Sequence, residues 1–408
     1  MKGFYGWRIV AACVVLATVA WSLGVFGMGV YVYALSSAGG FSLTTVSTAI
    51  TTAFMVSASL MVMVGRLVAR YGPKPVVGTG IVAMSLAVVG MAHCVEAWQL
   101  YMCFVLHGIG MACISTNTIG TTLAPWFERY QGKAMSTAML GASVGGMIGT
   151  PLLMFGIRHF GYELTAALAG MTAFILVMPL VVLVLKARPQ DIGEAPDGIH
   201  EAGTVAPRPT KVWTLSKAWK TRNFRSHVFA FACAFLVQVG FLSHHVPIAV
   251  PVLGPGGAAA AVTSAAVAAF LGRVLLARYA DRVDVRKLGA WVLIVATMAL
   301  TGMALVPGPS ALMVTSVVYG LTVGNVTTLA PLIMRREFGA ASFGVVFGVA
   351  ATVHQLSMSM GPSFFGILRD VSGSYVPALL LGGALNIIAA ATLVYGRGHR
   401  GDMDDTQR

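Results

Sequence analysis

Long apolar stretches separated by short polar loops are the feature that most limits what this chain can fold into. Hydrophobic residues make up 57% of the 408 residues and charged residues only 10%, with a mean hydropathy of +0.81. A soluble domain cannot bury so large an apolar fraction. About twelve stretches are long enough to cross roughly 30 Å of hydrocarbon as a helix. They lie at 9–34, 44–64, 76–95, 98–124, 134–157, 164–185, 228–253, 257–279, 288–306, 309–334, 341–368 and 375–396. Their apolar runs are continuous and lack the alternation of a membrane β-barrel.

The positions of Lys and Arg predict the orientation of these helices, since short cytoplasmic loops are enriched in positive charge. With both termini in the cytoplasm, most Lys and Arg residues outside the centre of the chain fall on the cytoplasmic side. They are Lys2, Arg8, Arg66, Arg70, Lys74, Arg129, Lys133, Arg278, Arg282, Arg286, Lys287, Arg335, Arg336, Arg397, Arg400 and Arg408. Arg158 and Arg369 fall on the opposite side. The net charge of +13 therefore follows from topology, and we predict no nucleic-acid partner.

A polar stretch divides the chain into two halves. Residues 187–227 carry four prolines and eleven charged residues, which predicts a cytoplasmic linker between helical bundles at 1–186 and 228–408. The end of the linker, 211–225, mixes aromatic and basic residues. This composition favours a helix at the level of the lipid headgroups, and a disordered basic tether is the alternative.

The two halves also repeat each other in sequence. The segment at 121–125 recurs at 327–331, the segment at 69–71 recurs at 277–279, and Pro151 with 155–157 recurs as Pro362 with 365–367. Three matches in the same order indicate two parallel six-helix repeats. Repeats of this kind place a substrate site near the membrane midplane.

Arg273 lies inside the predicted eighth helix, about 12 Å from its cytoplasmic end at Asp281. None of the fourteen Asp and Glu residues falls in a predicted helix, and a charge at such depth is costly unless it faces a cavity or a partner. Its helical face carries small residues and the opposite face carries bulky ones. The small residues are Ala266, Ala269, Ala277 and Ala280, and the bulky ones are Val267, Leu271, Val274 and Leu275. We therefore predict that Arg273 faces the protein interior and binds a carboxylate through its planar guanidinium. The alternative is a side chain that extends to the cytoplasmic headgroups.

Several other polar residues in the apolar stretches are candidates for the same site. His354, beside Gln355 in the middle of the eleventh helix, would supply a second, pH-dependent positive charge, or would be a neutral histidine packed between helices. The remaining candidates would orient the substrate or, more often for any one of them, join neighbouring helices. They are Tyr31, Asn117, Gln238, Tyr319 and Asn325.

Two further groups of residues are assigned to conformational roles. His244 and His245, near the outer end of the seventh helix, are candidates for an outer gate. Four glycines of the fifth helix form a stripe that predicts close helix packing. They are Gly141, Gly145, Gly146 and Gly149.

Catalytic, metal and cofactor chemistry is not indicated. The five cysteines are Cys13, Cys94, Cys103, Cys113 and Cys233, and they lack the spacing of metal ligands. No motif for ATP and no cluster of Asp, Glu and His is present in the sequence. We therefore predict no catalytic residue, no metal and no cofactor. A receptor or a membrane enzyme stays a distant alternative.

The segment 65–74 resembles the loop between helices two and three of the major facilitator superfamily, and 280–282 resembles its counterpart in the second half. The resemblance implies conformational roles for the motif residues at both places. They are Gly65, Arg66, Arg70, Asp281 and Arg282. The chain departs from the pattern at Ala69, where the family usually has Asp.

Within the superfamily, five segments resemble the monocarboxylate transporter and oxalate/formate antiporter branch. They are 5–8, 126–134, 214–219, 361–370 and 373–375. The resemblance implies an all-α integral membrane protein with 12 transmembrane helices as two parallel six-helix repeats, and both termini in the cytoplasm. It also implies a secondary transporter for a small organic anion, which works by alternating access with an arginine of helix eight at the substrate site.

The proton-coupling Asp of the monocarboxylate carriers, one turn before that arginine, is replaced here by Ala269. A proton or a counter-anion stays open as the coupled partner, with histidine as the titratable candidate. The alternative function is a proton-coupled drug exporter of the same superfamily. Short tails and compact loops are typical of bacterial relatives, so we predict a bacterial inner membrane. We also predict that the protein is a monomer in the bilayer.

Overall fold

The structure, a computed structural model, describes residues 4–37, 40–128, 130–198, 213–279 and 283–396. Over these residues the chain is helical and contains no strand, as predicted. The α-helices are α1 (Gly6–Val19), α2 (Gly27–Ser37), α3 (Leu43–Tyr71), α4 (Pro73–Met91), α5 (Ala97–Cys113), α6 (Thr116–Leu123), α7 (Gln131–Ala138), α8 (Leu140–Pro179), α9 (Leu215–Lys220), α10 (Arg222–Tyr279), α11 (Val285–Leu305), α12 (Pro309–Ser372) and α13 (Val376–Tyr395). A π-helical turn, Ala20–Val25, joins α1 to α2. Nine helical segments of the described chain are long and apolar enough to cross a membrane.

Three of the long helices are interrupted by a single glycine. Gly161 in α8, Gly254 in α10 and Gly339 in α12 have φ values of 79°, 70° and 75°. This left-handed backbone is readily adopted by glycine, which has no Cβ to clash. Each interruption falls between two neighbouring apolar stretches of the sequence, so α8, α10 and α12 each contain two predicted membrane segments. The exact number of spans and the side on which the termini lie stay predictions.

Other helix ends are set by ordinary capping residues. The Ser42 hydroxyl accepts a hydrogen bond from the backbone N–H of Thr45 at the start of α3. Asp284 accepts from the backbone N–H groups of Arg286 and Lys287 at the start of α11. These acceptors satisfy backbone donors that the first turn of a helix leaves open.

The chain forms two compact units. Unit 1 comprises Met1–Thr204, Leu242–Pro247 and Pro255–Thr263, and unit 2 comprises Val205–Phe241, Ile248–Gly254 and Ser264–Arg408. The limits of the predicted bundles, 1–186 and 228–408, and of the linker between them stay predictions.

In unit 1, α8 packs against α1 through the glycine stripe. A Cβ on Gly141 would overlap the carbonyl oxygen of Val14, and a Cβ on Gly145 would lie 2.5 Å from that of Thr18. A normal carbon contact is roughly 3.5–4.0 Å, so a larger residue does not fit at either position. The predicted close packing of this helix is confirmed.

Aromatic residues of two segments form a second contact in unit 1. Tyr5 lies 5.8 Å from Trp126 and Trp7 lies 5.3 Å from Phe127, measured between ring centroids. The Tyr5 hydroxyl donates to the carbonyl of Val184 at 3.0 Å. The start of α1 therefore contacts both the segment 126–134 and the turn that follows α8.

In unit 2, the stretch predicted as an interfacial helix forms α9 and packs on the protein. Trp213 lies 5.3 Å from Phe338 between ring centroids, and its backbone N–H donates to the Ser342 hydroxyl at 2.6 Å. Phe224 is fully buried and lies 5.9 Å from Phe338. Trp213 and Phe224 therefore pack in the core of unit 2, whereas Trp219 is 47% exposed.

Candidate functional site

Arg273 lies on α10 and its half-buried side chain packs against α12. The side chain passes over Gly324, where an added Cβ would lie 2.6 Å from Cγ and 2.8 Å from Nε of Arg273. Gly272, the residue before Arg273, lies at the same contact, since an added Cβ there would overlap the carbonyl oxygen of Leu321. The two helices therefore approach closely, and the missing side chain of Gly324 leaves the space that the arginine stem occupies.

The predicted orientation of this part of α10 is confirmed for the described side chains. Ala266 and Ala269, on the face of Arg273, are only 3% and 6% exposed. The bulky residues of the opposite face are 39–54% exposed and are Val267, Leu271, Val274 and Leu275. The guanidinium thus lies on the small-residue face. The side chain of Ala277 and residue Ala280 lie outside the part of the chain that the structure describes.

Asn325 follows Gly324 and lies at the same helix contact. Its Nδ2 donates to the carbonyl of Leu321 at 2.9 Å and lies 3.3 Å from the Cβ position of Gly272. Its Oδ1 is buried and has no hydrogen-bond partner among the described residues. A buried acceptor of this kind is available to a donor group of a ligand.

Gln238 and Tyr319 are also buried in unit 2. The Oε1 of Gln238 lacks a hydrogen-bond partner within the described residues. The ring of Tyr319 lies 4.3 Å from that of Phe241, so its contact in the structure is aromatic packing.

His354 lies on the second part of α12 and is buried. It makes a hydrogen bond with the backbone of Val228, and its Nε2 has no partner in the described chain. Its ring centroid lies 5.6 Å from that of His227 on α10. Gln355 is half-buried, and its backbone carbonyl accepts from Ser359 at 2.7 Å.

The sequence did not single out His227. It is the last residue of the predicted linker, one position before the predicted seventh helix, so it was counted with the solvated segment. In the structure it is completely buried inside α10.

Tyr31 in unit 1 is buried beside a second histidine that the sequence did not single out. The rings of Tyr31 and His107 lie 6.0 Å apart in an edge-to-face arrangement. The Tyr31 hydroxyl and both ring nitrogens of His107 are buried with no hydrogen-bond partner among the residues described. His107 lies in the middle of the predicted fourth helix, so the reasoning that selected His354 would also have found it.

Asn117 makes an interhelical contact. Asn117 is exposed, and its Nδ2 donates to the carbonyl of Met61 at 3.4 Å. The same Nδ2 lies 3.2 Å from the position that a Cβ on Gly65 would take. This is the alternative role that was expected for such residues.

The residues assigned to gating lie at several places. His244 Nε2 forms a hydrogen bond of 3.1 Å with the Ser47 hydroxyl, and this bond is buried in unit 1. The neighbouring His245 is buried as well. Arg66 and Arg70 of α3 are exposed, and the guanidinium of Arg70 lies 5.2 Å from the ring centroid of Tyr71. Asp281 and Arg282 lie outside the described residues.

A buried ion pair in unit 2 was not predicted. Arg286, which was placed in a cytoplasmic loop, is 2% exposed and forms two hydrogen bonds with Glu337, one of them 2.8 Å from Nη2 to Oε2. Arg286 also donates to the Ser226 hydroxyl and to the carbonyls of Asn223 and Leu393. These bonds tie α10, α11, α12 and α13 together, which indicates a structural role.

No three His, Cys, Asp or Glu side chains come together as they would around a metal ion, within the residues that the structure describes. The candidate groups of the two units are polar side chains set singly or in pairs among apolar residues. Such an arrangement suits recognition of a small solute in a membrane-embedded site.

The sequence pattern of the Major Facilitator Superfamily matches residues 10–362. The chain belongs to this superfamily. The match confirms the predicted resemblance to the superfamily, and with the helical structure it makes the chain an integral membrane protein. Its family and fold are those of the superfamily's transporters.

Relatives within the superfamily include monocarboxylate transporters. Monocarboxylate transporter 13 of Bos taurus is 25% identical over 338 residues, which cover 80% of this chain and 74% of that protein. Monocarboxylate transporter 11 of Homo sapiens is 28% identical over 349 residues, which cover 80% of this chain and 69% of that protein. Fungal efflux proteins are also among the relatives. The predicted bacterial inner membrane stays a prediction.

The fold is shared with solved transporters of low sequence identity. The crystal structure of a D-xylose-proton symporter matches with a TM-score of 0.75 at 13% identity, and the match covers 95% of this chain and 97% of the symporter. At this identity the similarity shows the fold alone.

Proposed function

We propose that this superfamily member is a secondary transporter that moves a small organic anion, in the first place a monocarboxylate, by alternating access. The observation that carries the proposal is the position of Arg273. Its guanidinium lies in an apolar segment, on the small-residue face of α10, with its stem held over Gly324. The similarity to monocarboxylate transporters supports the same class of substrate.

An arginine at this position favours a carboxylate over other solutes. Its planar fork of N–H donors matches the two oxygens of a carboxylate, and the contact with Gly324 restricts the torsions of its stem. A fixed positive charge at the same time opposes the entry of cations. The unsatisfied Oδ1 of Asn325, at the same helix contact, would accept a hydrogen bond from a hydroxyl group of the anion.

The other candidate residues have supporting roles in this proposal. Gln238 and Tyr319 are buried polar groups of unit 2 that would orient the anion. His244 would act as an outer gate, and its hydrogen bond to Ser47 would hold the gate closed. The loop at 65–74 would serve the conformational cycle, as the family resemblance implies.

Export of drug-like compounds is the second candidate, and the relatives that are fungal efflux proteins favour it. The two functions differ in the charge of the cargo. A positively charged solute would be repelled by Arg273, so an exporter of cations would have to keep its cargo away from this residue.

The proposal is tested by uptake into liposomes that contain the purified protein, with lactate, pyruvate, oxalate and a cationic dye as substrates. We expect uptake of at least one carboxylate, and we expect Arg273→Lys to reduce it at least about tenfold, since losing a charge-assisted hydrogen bond costs about 1.5–3 kcal/mol. Lysine keeps the charge but loses the bidentate geometry.

The matched control is Arg158→Lys, the same substitution at an exposed arginine. We expect this variant to transport like the wild type. Normal carboxylate kinetics in Arg273→Lys would contradict the assigned role and favour a side chain that extends to the headgroups. Transport of the dye without any carboxylate would favour the exporter.

A further inference from the structure

His227 and His354 form a pair of buried imidazoles in unit 2. Their ring centroids lie 5.6 Å apart, and the two rings are tilted by 50° to each other. A hydrogen bond between two ring nitrogens spans roughly 3 Å. The two rings are not hydrogen-bonded to each other in the structure, but with the radius of each ring added, a small shift would bring two of their nitrogens within that distance.

Three of the four ring nitrogens of this pair lack a hydrogen-bond partner among the described residues. Both nitrogens of His227 and the Nε2 of His354 are buried with no hydrogen-bond partner in the described part of the chain. A neutral imidazole has one donor and one acceptor, and leaving a buried donor or acceptor unpaired costs about 1–3 kcal/mol. The contact between His354 and the Val228 backbone fixes that ring and leaves its Nε2 available.

The surroundings suit a delocalised positive charge. Phe231 lies 4.6 Å from His227 and 6.0 Å from His354, and Phe235 lies 5.4 Å from His354, all between ring centroids. Aromatic faces attract a cation at these distances.

The charged and titratable groups on the neighbouring elements are few. Arg286 of α11 reaches the residues just before His227, through Ser226 and Asn223, and Glu337 of α12 neutralises it in the ion pair described above. Cys233 of α10 packs in the same apolar core as Phe231. Helix α13 presents apolar side chains and the Leu393 carbonyl to this region. The ion pair with Glu337 therefore reduces the net positive charge of Arg286 next to the histidines.

We propose that His227 and His354 together form a proton-binding site, in which one proton is shared between the two imidazoles. The lone pair of one ring nitrogen takes the proton from the aqueous phase, and the second ring accepts the resulting N–H as a hydrogen bond. No other bond breaks, and the charge of the pair changes from zero to plus one. Proton binding is independent of the anion, whereas its coupling to transport rests on the proposed function.

The test is a proton titration of the purified full-length chain in detergent, without any substrate. We compare the wild type with His227→Gln, His354→Gln, the double variant and the control His107→Gln. His107 is equally buried and also lacks partners for both nitrogens among the described residues, but its ring neighbours are Tyr31 and Phe104.

Because the pair binds one proton, each single variant at 227 or 354 should lose the same titration step, and the double variant should lose no more. His107→Gln should keep this step. Two separate steps that are lost independently and add up in the double variant would overturn the proposal. An unchanged titration in either single variant would overturn it too.

A second measurement uses the wild-type protein, so it does not depend on the folding of a variant. Nuclear magnetic resonance of the chain with ¹⁵N-labelled histidine should show two rings that change together at one pH midpoint. Two unrelated midpoints for His227 and His354 would contradict a shared proton. Neither result depends on which solute is transported, so the proposed function and this site fail separately.

Discussion

Gly324→Ala is the substitution that most directly tests how Arg273 is held. The added methyl carbon would overlap the carbonyl oxygen of Ala269 and would lie 2.6 Å from Cγ and 2.8 Å from Nε of Arg273. Normal contacts between such atoms are roughly 3.5–4.0 Å. The overlap with the Ala269 carbonyl requires α10 and α12 to move apart, and the two close contacts with Arg273 require its side chain to shift as well.

The chain supplies a matched control one turn earlier. An added Cβ on Gly320 would overlap the carbonyl oxygen of Ala265 and would lie 2.6 Å from its Cα, with Arg273 absent from its nearest contacts. Both substitutions overpack the same pair of helices, which typically costs about 1–3 kcal/mol of stability. Gly320→Ala and Gly324→Ala should therefore lower the unfolding temperature by similar amounts.

The two variants should differ in anion binding. If displacing the guanidinium removes about 1.4 kcal/mol of binding free energy, the Kd of the carboxylate rises about tenfold. We expect this rise in Gly324→Ala and little change in Gly320→Ala, measured by uptake into liposomes and by thermal stabilisation with the carboxylate. An equal loss of affinity in the two variants would refute the reasoning, because it would trace the loss to helix separation and not to Arg273.

Two further predictions concern the scaffold. Glu337→Gln removes the counter-charge of the buried Arg286, so we expect a loss of about 3–5 kcal/mol in the free energy of unfolding. Replacing both residues by methionine should cost less, because no unpaired charge then stays buried. Thermal unfolding of the single and double variants checks this, and equal losses would contradict it. Gly141→Leu should abolish the accumulation of folded protein, because the added Cβ would overlap the Val14 carbonyl. Gly132→Leu should be tolerated, because the space around this glycine is open. Gel filtration of both variants in detergent checks this, and a normal yield of folded Gly141→Leu would contradict it.

The sequence was informative about the candidate site wherever the relevant property is local to one helix. The face of α10 that carries Arg273 follows from the spacing of alanines and bulky residues at 3.6 residues per turn, and the burial of Ala266 and Ala269 confirms it. The packing of the α8 glycines was predicted for the same reason. Substrate roles for His354, Gln238 and the other candidates stay predictions.

The sequence was less informative where a property depends on a partner from another helix. From the sequence, Arg286 is expected to be one more cytoplasmic charge. Only the structure shows that it is buried and paired, through its contacts with Glu337 and with the end of α13. His227 reads as a linker residue, and only the approach of α12 makes it the neighbour of His354.

By itself, the sequence determined that this chain is a helical membrane protein of two related halves. The length and hydrophobicity of a segment determine whether it can cross the bilayer as a helix. A sequence repeat can be recognised without knowing which residues are in contact. The tertiary structure alone decided which polar groups meet. The contact of Arg273 with Gly324, the pair of His227 and His354, and the ion pair of Arg286 each join residues about 50 to 130 positions apart, and such approaches depend on how whole helices pack.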